Sequence, residues 1–418
     1  MGHEVLILRN CFVPEEGCLV HSHVTIRDGF IVSIEKSGQS YDGFEHTSQK
    51  IREERSEMEN SVMTIIECAG RILSHGFIDI QMNGAFGVDF SSNSITAEDI
   101  LTVATTLPRF GVTHFCPTLV SCSKDRYEKL IPLIGNMCNQ DRSKDDVRGR
   151  ANLIGMHLEG PFFCASKRGA HEKCNIHESL ENDCIEKVYH SSAETINEAG
   201  VSIVTLAPEL SGALPQIETL SQNGVIVSMG HTDCIMSDGM KAVDNGASLI
   251  THLYNAMRPF HHREPGLLGL LQNSTSTYYS IIADGLHSHP QSVKMAYALS
   301  KNVVLVTDCM AAMGLGDGCF KLGEESVLVE GGKAVLEGTN TLAGSVASME
   351  SCVQSFHEFT ECSVCAVLDA AVKNPAHVLK LSHKIGSIEI GRRADLVLLD
   401  CNLKVVKTII FGSVVFSQ

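Results

Sequence analysis

The sequence predicts an α/β fold, a TIM (β/α)8 barrel with a small β-sandwich domain built from both chain termini. Three observations predict it. Eight short apolar, β-branched runs occupy the middle of the chain, each followed by polar residues and then by a stretch with helical periodicity. Polar side chains fall at the C-terminal ends of several of these runs, where a barrel gathers them at one mouth and an open doubly wound sheet need not. The first and last stretches of the chain both alternate as strands do, and they bracket the rest.

In chain order, Val5 to Leu8, Val20 to Ile26, an Asp28-Gly29 turn and Ile31 to Ile34 read as a β-meander. Residues 37–61 are polar and read as a surface excursion, after which Met63 to Ile66 resumes the strand pattern. The barrel runs are Gly76 to Ile80, Val112 to Cys116, Leu153 to Leu158, Val201 to Leu206, Val225 to Met229, Leu249 to Leu253, Tyr279 to Ala283 and Val303 to Val306. A helix is expected over Glu361 to Val372. Strands return at Gly386 to Gly391, Ala394 to Leu399 and Val405 to Val415. The expected division is therefore 1–74 with 384–418 as the small domain and 75–383 as the barrel.

Composition narrows the function classes. The 418 residues are 44% hydrophobic and 20% charged, as in an ordinary globular enzyme, and the net charge of −16 disfavours a nucleic-acid partner because no Lys/Arg run reverses the sign locally. No run is long enough to span a membrane, and no secretory or lipidation signal is legible, so the cytosol is the expected compartment. The 16 cysteines are scattered, often within apolar runs, and read as reduced thiols; Cys362 and Cys365 lack a second pair to complete a zinc site.

The chemistry sits at the strand ends. Glu159 closes the third run before Gly160-Pro161, and alone it is as easily a solvated loop carboxylate. His231 after the fifth run and His252 at the sixth add two imidazoles at neighbouring strand ends. Two histidines and a carboxylate make a donor set for one divalent transition metal, zinc first and iron, cobalt or manganese as alternatives, with a position left for water. Asp308, after the eighth run, is placed to take a proton from that water and return it to a leaving amine; a fourth metal ligand or a structural strand-end Asp are the other readings. Arg263 and His287, in loops after the sixth and seventh runs, suit an anionic group such as phosphate.

These residues lie in ordered blocks: Gly76 to Gly84, His157 to Phe162, Thr251 to Met257, Ile282 to His287, Val306 to Asp308, Thr341 to Ser345 and Gly391 to Val397. On them the chain resembles the N-acetylglucosamine-6-phosphate deacetylase family of the amidohydrolase superfamily. The resemblance implies hydrolysis of N-acetyl-D-glucosamine 6-phosphate to D-glucosamine 6-phosphate and acetate, with Glu159, His231 and His252 on the metal and Asp308 as acid and base. It further implies substrate contacts from Ala170, His171, Asn255, Ala256, Arg263, from Asp284, Gly285, Leu286 and His287, and from Leu342, Ala343 and Gly344. It also implies a homodimer in which Arg263 serves the neighbouring active site. The wider superfamily usually carries His-x-His on its first strand to hold a second metal. Here that strand reads Gln81-Met82-Asn83, and amides are poor transition-metal ligands, so one ion is expected, with Gln81 and Asn83 orienting groups around it. A Pro usual in the family before Gly-Phe-Ile-Asp is His75 here; it falls at the far end of its strand from the mouth and reads as structural.

Overall fold

A computed structural model describes residues 3–36, 62–143, 147–181, 184–273 and 277–418. The 37–61 excursion lies outside them. Strands β1 (Glu4–Glu15), β2 (Cys18–Arg27), β3 (Phe30–Lys36) and β4 (Val62–His75) come first. The barrel strands follow: β5 (Phe77–Met82), β6 (Val112–Val120), β7 (Met156–Glu159), β8 (Val201–Leu206), β9 (Ile226–Met229), β10 (Leu249–Ile250), β11 (Tyr278–Ile281) and β12 (Val303–Leu305). A small antiparallel sheet comprises β13 (Gly318–Leu322), β14 (Glu325–Glu330) and β15 (Lys333–Leu336), and β16 (Leu396–Leu399), β17 (Val405–Ile410) and β18 (Ser413–Ser417) end the chain.

Strands β5 to β12 pair in parallel with their sequence neighbours. The ring closes through backbone bonds beyond the last strand: Asp308 N–H donates to Gln81 O (2.9 Å) and Asn83 N–H to Cys309 O (2.8 Å). Ile78, Cys116, Ile154, Ile203, Ile226, Leu249, Ile282 and Val304, one from each strand or its end, form one buried cluster. Residues from every strand of a closed ring can meet only on its axis, so this is the barrel's inner plug. Two residues further along most strands, by the period of a strand, and three along β7 past the break at Gly155, comes a polar layer. In it His157 Nε2 bonds Thr205 Oγ1 (2.7 Å), Thr205 bonds Thr251 (2.8 Å) and Thr251 bonds Ser228 (2.5 Å).

Helices wrap the ring with ordinary signals. The helix Ala97–Thr106 starts on a capping box between Thr96 and Asp99, and Pro290–Leu299 opens on Pro290, whose missing N–H costs nothing at a first turn. Among the described residues no helix is long and apolar enough to cross a membrane.

Both termini build one mixed sheet in the order β18-β17-β16-β4-β1-β2-β3. The start of β3 reaches the residues that flank β16 and β17: Ala394 N–H donates to Gly29 O (2.8 Å), and the Phe30 and Phe411 rings stand edge-on at 5.3 Å. The inner face of the sheet, including Leu8, Val24, Ile26, Leu396 and Ile409, is a single core, which gives the sheet the two-layered form expected of a sandwich. Two expected elements differ. Gly386 to Gly391 is loop, held to β3 by single backbone bonds such as Gly391 N–H to Ile31 O (2.7 Å), and its two end glycines, with φ of 94° and 87°, turn the chain out of the extended form. The run Leu153 to Leu158 breaks at Gly155 (φ 137°), where an added Cβ would strike the Arg142 guanidinium.

His75 ends β4 at the bottom of the barrel, buried and stacked on His114 (5.3 Å), whose Nε2 lies 3.6 Å from Asp395. Burial lowers both imidazoles, His114 to about 3, despite the nearby Asp395 charge. The unfolded chain takes up these protons below about pH 6.5 whereas the folded chain does not, so their contribution is full above that pH and is lost as the pH falls toward 3. The contribution of this pair to the unfolding free energy should drop from pH 7 to pH 5. Replacing His114 with Gln should flatten that slope by up to one proton, about 1.4 kcal/mol per pH unit. Denaturant titrations at the two pH values check this, and an unchanged slope would contradict it.

Candidate active site

The mouth is assembled by backbone turned sharply at each strand end. His231, His252 and Asp308 follow β9, β10 and β12, and all three are left-handed, with φ of 49°, 29° and 47°. That region is strained for a residue with a Cβ, and such strain concentrates at functional sites. Glu159 ends β7 and is followed by Gly160 (φ 81°), where a Cβ would strike Ser121 and Phe163.

The four side chains converge and are buried. Glu159 Oε1 lies 3.2 Å from His231 Nε2 and 3.0 Å from His252 Nε2, and the two nitrogens are 3.1 Å apart. Their ligand atoms form a group that could hold a metal ion, all within 4.8 Å of one another. The donor chemistry fits: His231 Nδ1 bonds Lys167 O (2.9 Å), and a carbonyl can only accept, so Nδ1 carries the hydrogen and Nε2 presents its lone pair. Burial works against the Glu159 charge, yet the adjacent His231 and His252 imidazoles hold it well below the usual carboxylate range.

Gln81 and Asn83 do what neutral amides can. Gln81 Nε2 donates to Glu159 Oε1 (2.9 Å) and to Asp308 Oδ1 (3.2 Å), and Asn83 Nδ2 donates to Asp308 Oδ1 (2.8 Å). Gln81 thus ties the two carboxylates together, and Asn83 holds Asp308. Burial, reinforced by the Glu159 charge, raises Asp308 to about 7, the range in which a carboxyl both takes and returns a proton at neutral pH.

His171 stands edge-on to His231, with centroids 4.6 Å apart. Its Nδ1 accepts the Ser121 N–H (3.1 Å), which leaves the hydrogen on Nε2, and burial with the neighbouring His231 pushes the ring down to about 3. It is a neutral donor at physiological pH. Asp284 and His287 form a tight pair, Oδ2 to Nδ1 at 2.7 Å, while Asp284 Oδ1 accepts the N–H groups of Leu286 (2.9 Å) and His287 (2.8 Å); Gly285 makes the turn with φ 74°. Asn255 Nδ2 donates to the His252 and Leu253 carbonyls (3.4 and 3.3 Å), and Ala256 O accepts from Thr232 N–H (3.1 Å) beside His231.

The β13–β15 sheet packs against the mouth, and Ala170 and Ala343 belong to its apolar core. Leu342 bridges to Val335, and Gly344 (φ 66°) passes so close to Asp308 O that a Cβ would lie 3.0 Å from it. Arg263 is the predicted residue that the chain does not bring in: it is exposed on the 258–264 loop, its N–H bonded to His261 Nδ1 (3.3 Å).

Three features were not foreseen from the sequence. The Lys167 carbonyl and the Ser121 N–H set imidazole tautomers through backbone atoms, which carry no residue-type signal. The β13–β15 sheet was signalled by Gly331-Gly332 between alternating runs, a hairpin mark.

The amidohydrolase family profile matches residues 72–415. The chain is 40% identical to the N-acetylglucosamine-6-phosphate deacetylase of Caenorhabditis elegans, covering 99% of this chain and 95% of that one. The chain belongs to the N-acetylglucosamine-6-phosphate deacetylase family. The family's human enzyme is 39% identical, with 99% and 96% covered, and that of Bacillus subtilis (strain 168) 34%, with 100% and 98% covered. Among solved deacetylases, a Mycobacterium smegmatis variant in complex with N-acetyl-D-glucosamine-6-phosphate superposes with a TM-score of 0.81 at 27% identity over the full length of both chains. The Thermotoga maritima enzyme gives 0.79 at 29%, over 99% of this chain and 100% of that one.

Proposed function

We propose that this deacetylase hydrolyses N-acetyl-D-glucosamine 6-phosphate to D-glucosamine 6-phosphate and acetate, using one divalent ion held by Glu159, His231 and His252. The observation that carries the reading is the buried carboxylate and two imidazoles with Asp308 tied to them through Gln81. When bound, the ion, zinc being the first choice for this donor set, supplies an acidified water and a Lewis acid for the acetyl carbonyl. Asp308 takes the proton of the attacking water and returns it to the sugar nitrogen as the C–N bond breaks. His171 donates from Nε2 to the oxygen on which negative charge develops. Asn255, Ala256, His287 and the Leu342 to Gly344 strap position the sugar phosphate, and the Asp284 pair fixes the imidazole of His287. Family membership and the complex solved for the mycobacterial relative support this substrate. The test is acetate release from N-acetylglucosamine 6-phosphate by metal-loaded protein; release at the same rate from the unphosphorylated sugar would contradict the substrate assignment.

The exposed Arg263 loop supports a homodimer, since it also exposes Phe260 (59%) beside His261 and His262. In this reading Arg263 clamps the phosphate in the neighbouring site. Arg263→Ala should then raise KM with the dimer intact. Mixing it with an Asp308→Asn variant should restore about a quarter of wild-type activity, because half of randomly paired dimers are mixed and each holds one complete site. No recovery on mixing would place the arginine in its own subunit's site. Reduced thiols at all 16 cysteines suit the cytosol, and we divide the chain into 1–74 with 384–418 and 75–383.

A further inference from the structure

We infer that a cavity at the opposite end of the barrel from the mouth binds a small phosphorylated anion. The cavity, about 340 Å³, opens among the starts of β7, β8 and β9 and the 379–385 segment that leads into the terminal sheet. Its volume lies in the range of small-molecule sites. In a chain with a net charge of −16, its charge balance is reversed. Asp141 is neutralised by Arg150 (2.7 Å to each oxygen), and Arg393 by the buried Asp395 (2.9 and 3.2 Å). Arg142, Lys380 and Lys384 remain, and among the described residues none has a carboxylate within 4.0 Å.

Arg142 is built into the wall. It leaves the last turn of the helix Lys124–Ser143, donates from Nε to Ile154 O (3.2 Å) and from its terminal nitrogen to Ser202 Oγ, and lies over Gly155, where a side chain would displace it. Both its partners are neutral. A half-buried guanidinium without a counter-charge is costly, and it retains donors beyond the two in use. Two ammonium groups on the facing segment complete a site for a dianion, and a guanidinium fork with flanking lysines suits phosphate oxygens. The anion would bridge the barrel to the 379–385 segment, far from the groups that act on substrate.

The test is calorimetric titration of the full-length, metal-loaded protein with inorganic phosphate at constant ionic strength. Wild type, a Lys380→Gln/Lys384→Gln variant, Arg142→Gln and Arg263→Ala would be compared. We expect a binding event that Arg263→Ala leaves intact and that weakens about tenfold for each cavity cation removed. The lysine variant changes exposed residues, so it reports even where Arg142→Gln perturbs folding. An isotherm that is indifferent to the cavity variants, or one abolished by Arg263→Ala alone, would overturn the inference. A glucose 6-phosphate arm separates a sugar ester from free phosphate, with tighter binding than phosphate marking the ester as the ligand. Loss of acetate release in the mouth variants with the cavity isotherm preserved would separate the two proposals.

Discussion

Asp308→Asn should lower kcat by about 10²–10⁴-fold while leaving KM nearly unchanged. The amide keeps the shape and still meets Gln81 and Asn83 across 3.2 and 2.8 Å, so the loop after β12 has no reason to move. What it loses is the ability to hold a proton between water attack and departure of the amine. Metal content measured on the same preparation should match wild type, because Asp308 lies outside the Glu159, His231 and His252 group. Full activity in the variant would remove Asp308 from the proton path. A lost metal would instead recast it as a ligand.

Glu159→Gln should abolish activity through the ion. Changing only an outer partner of a metal ligand costs about 10–100-fold in affinity, so replacing the one carboxylate in the donor set should exceed about 100-fold. The effect is sharpened by the surroundings. Glu159 Oε1 is where His231, His252 and the Gln81 amide all meet, and a Gln nitrogen placed there would face two imidazole lone pairs or the Gln81 N–H. Inductively coupled plasma analysis and acetate release should fall together. Retained metal with lost activity would move the charge of Glu159 from binding to catalysis.

Much of this was legible because barrel chemistry lies at strand ends. Each of the eight apolar runs became a strand or its flank, so Glu159, His231, His252 and Asp308 could be assigned to one mouth before any distance was known. Gln81 and Asn83 were read from what they are not, a pair of histidines. Their actual contacts, Gln81 bridging Glu159 to Asp308 and Asn83 holding Asp308, depend on how the ring closes between β5 and β12, which periodicity does not encode. The left-handed turns at His231, His252 and Asp308 were likewise invisible, since no glycine marks them. Where local alternation misled, at Gly386 to Gly391, the glycines at both ends take positive φ and turn the segment out of an extended path. Arg263 was read as an anion-binding residue from its loop and assigned to the neighbouring site by resemblance alone, and its exposure in a single chain is what a residue serving a second copy would show.

The central claim is that one ion, held by Glu159, His231 and His252, supports amide hydrolysis of a phosphorylated amino sugar. Its most direct test is to titrate metal-free protein with zinc while following acetate release from N-acetylglucosamine 6-phosphate. The account predicts activity that rises linearly and levels off at about one equivalent per chain, because Gln81 and Asn83 stand where a second ion would need histidines. A plateau reached only at two equivalents, or full activity in the metal-free protein, would contradict it.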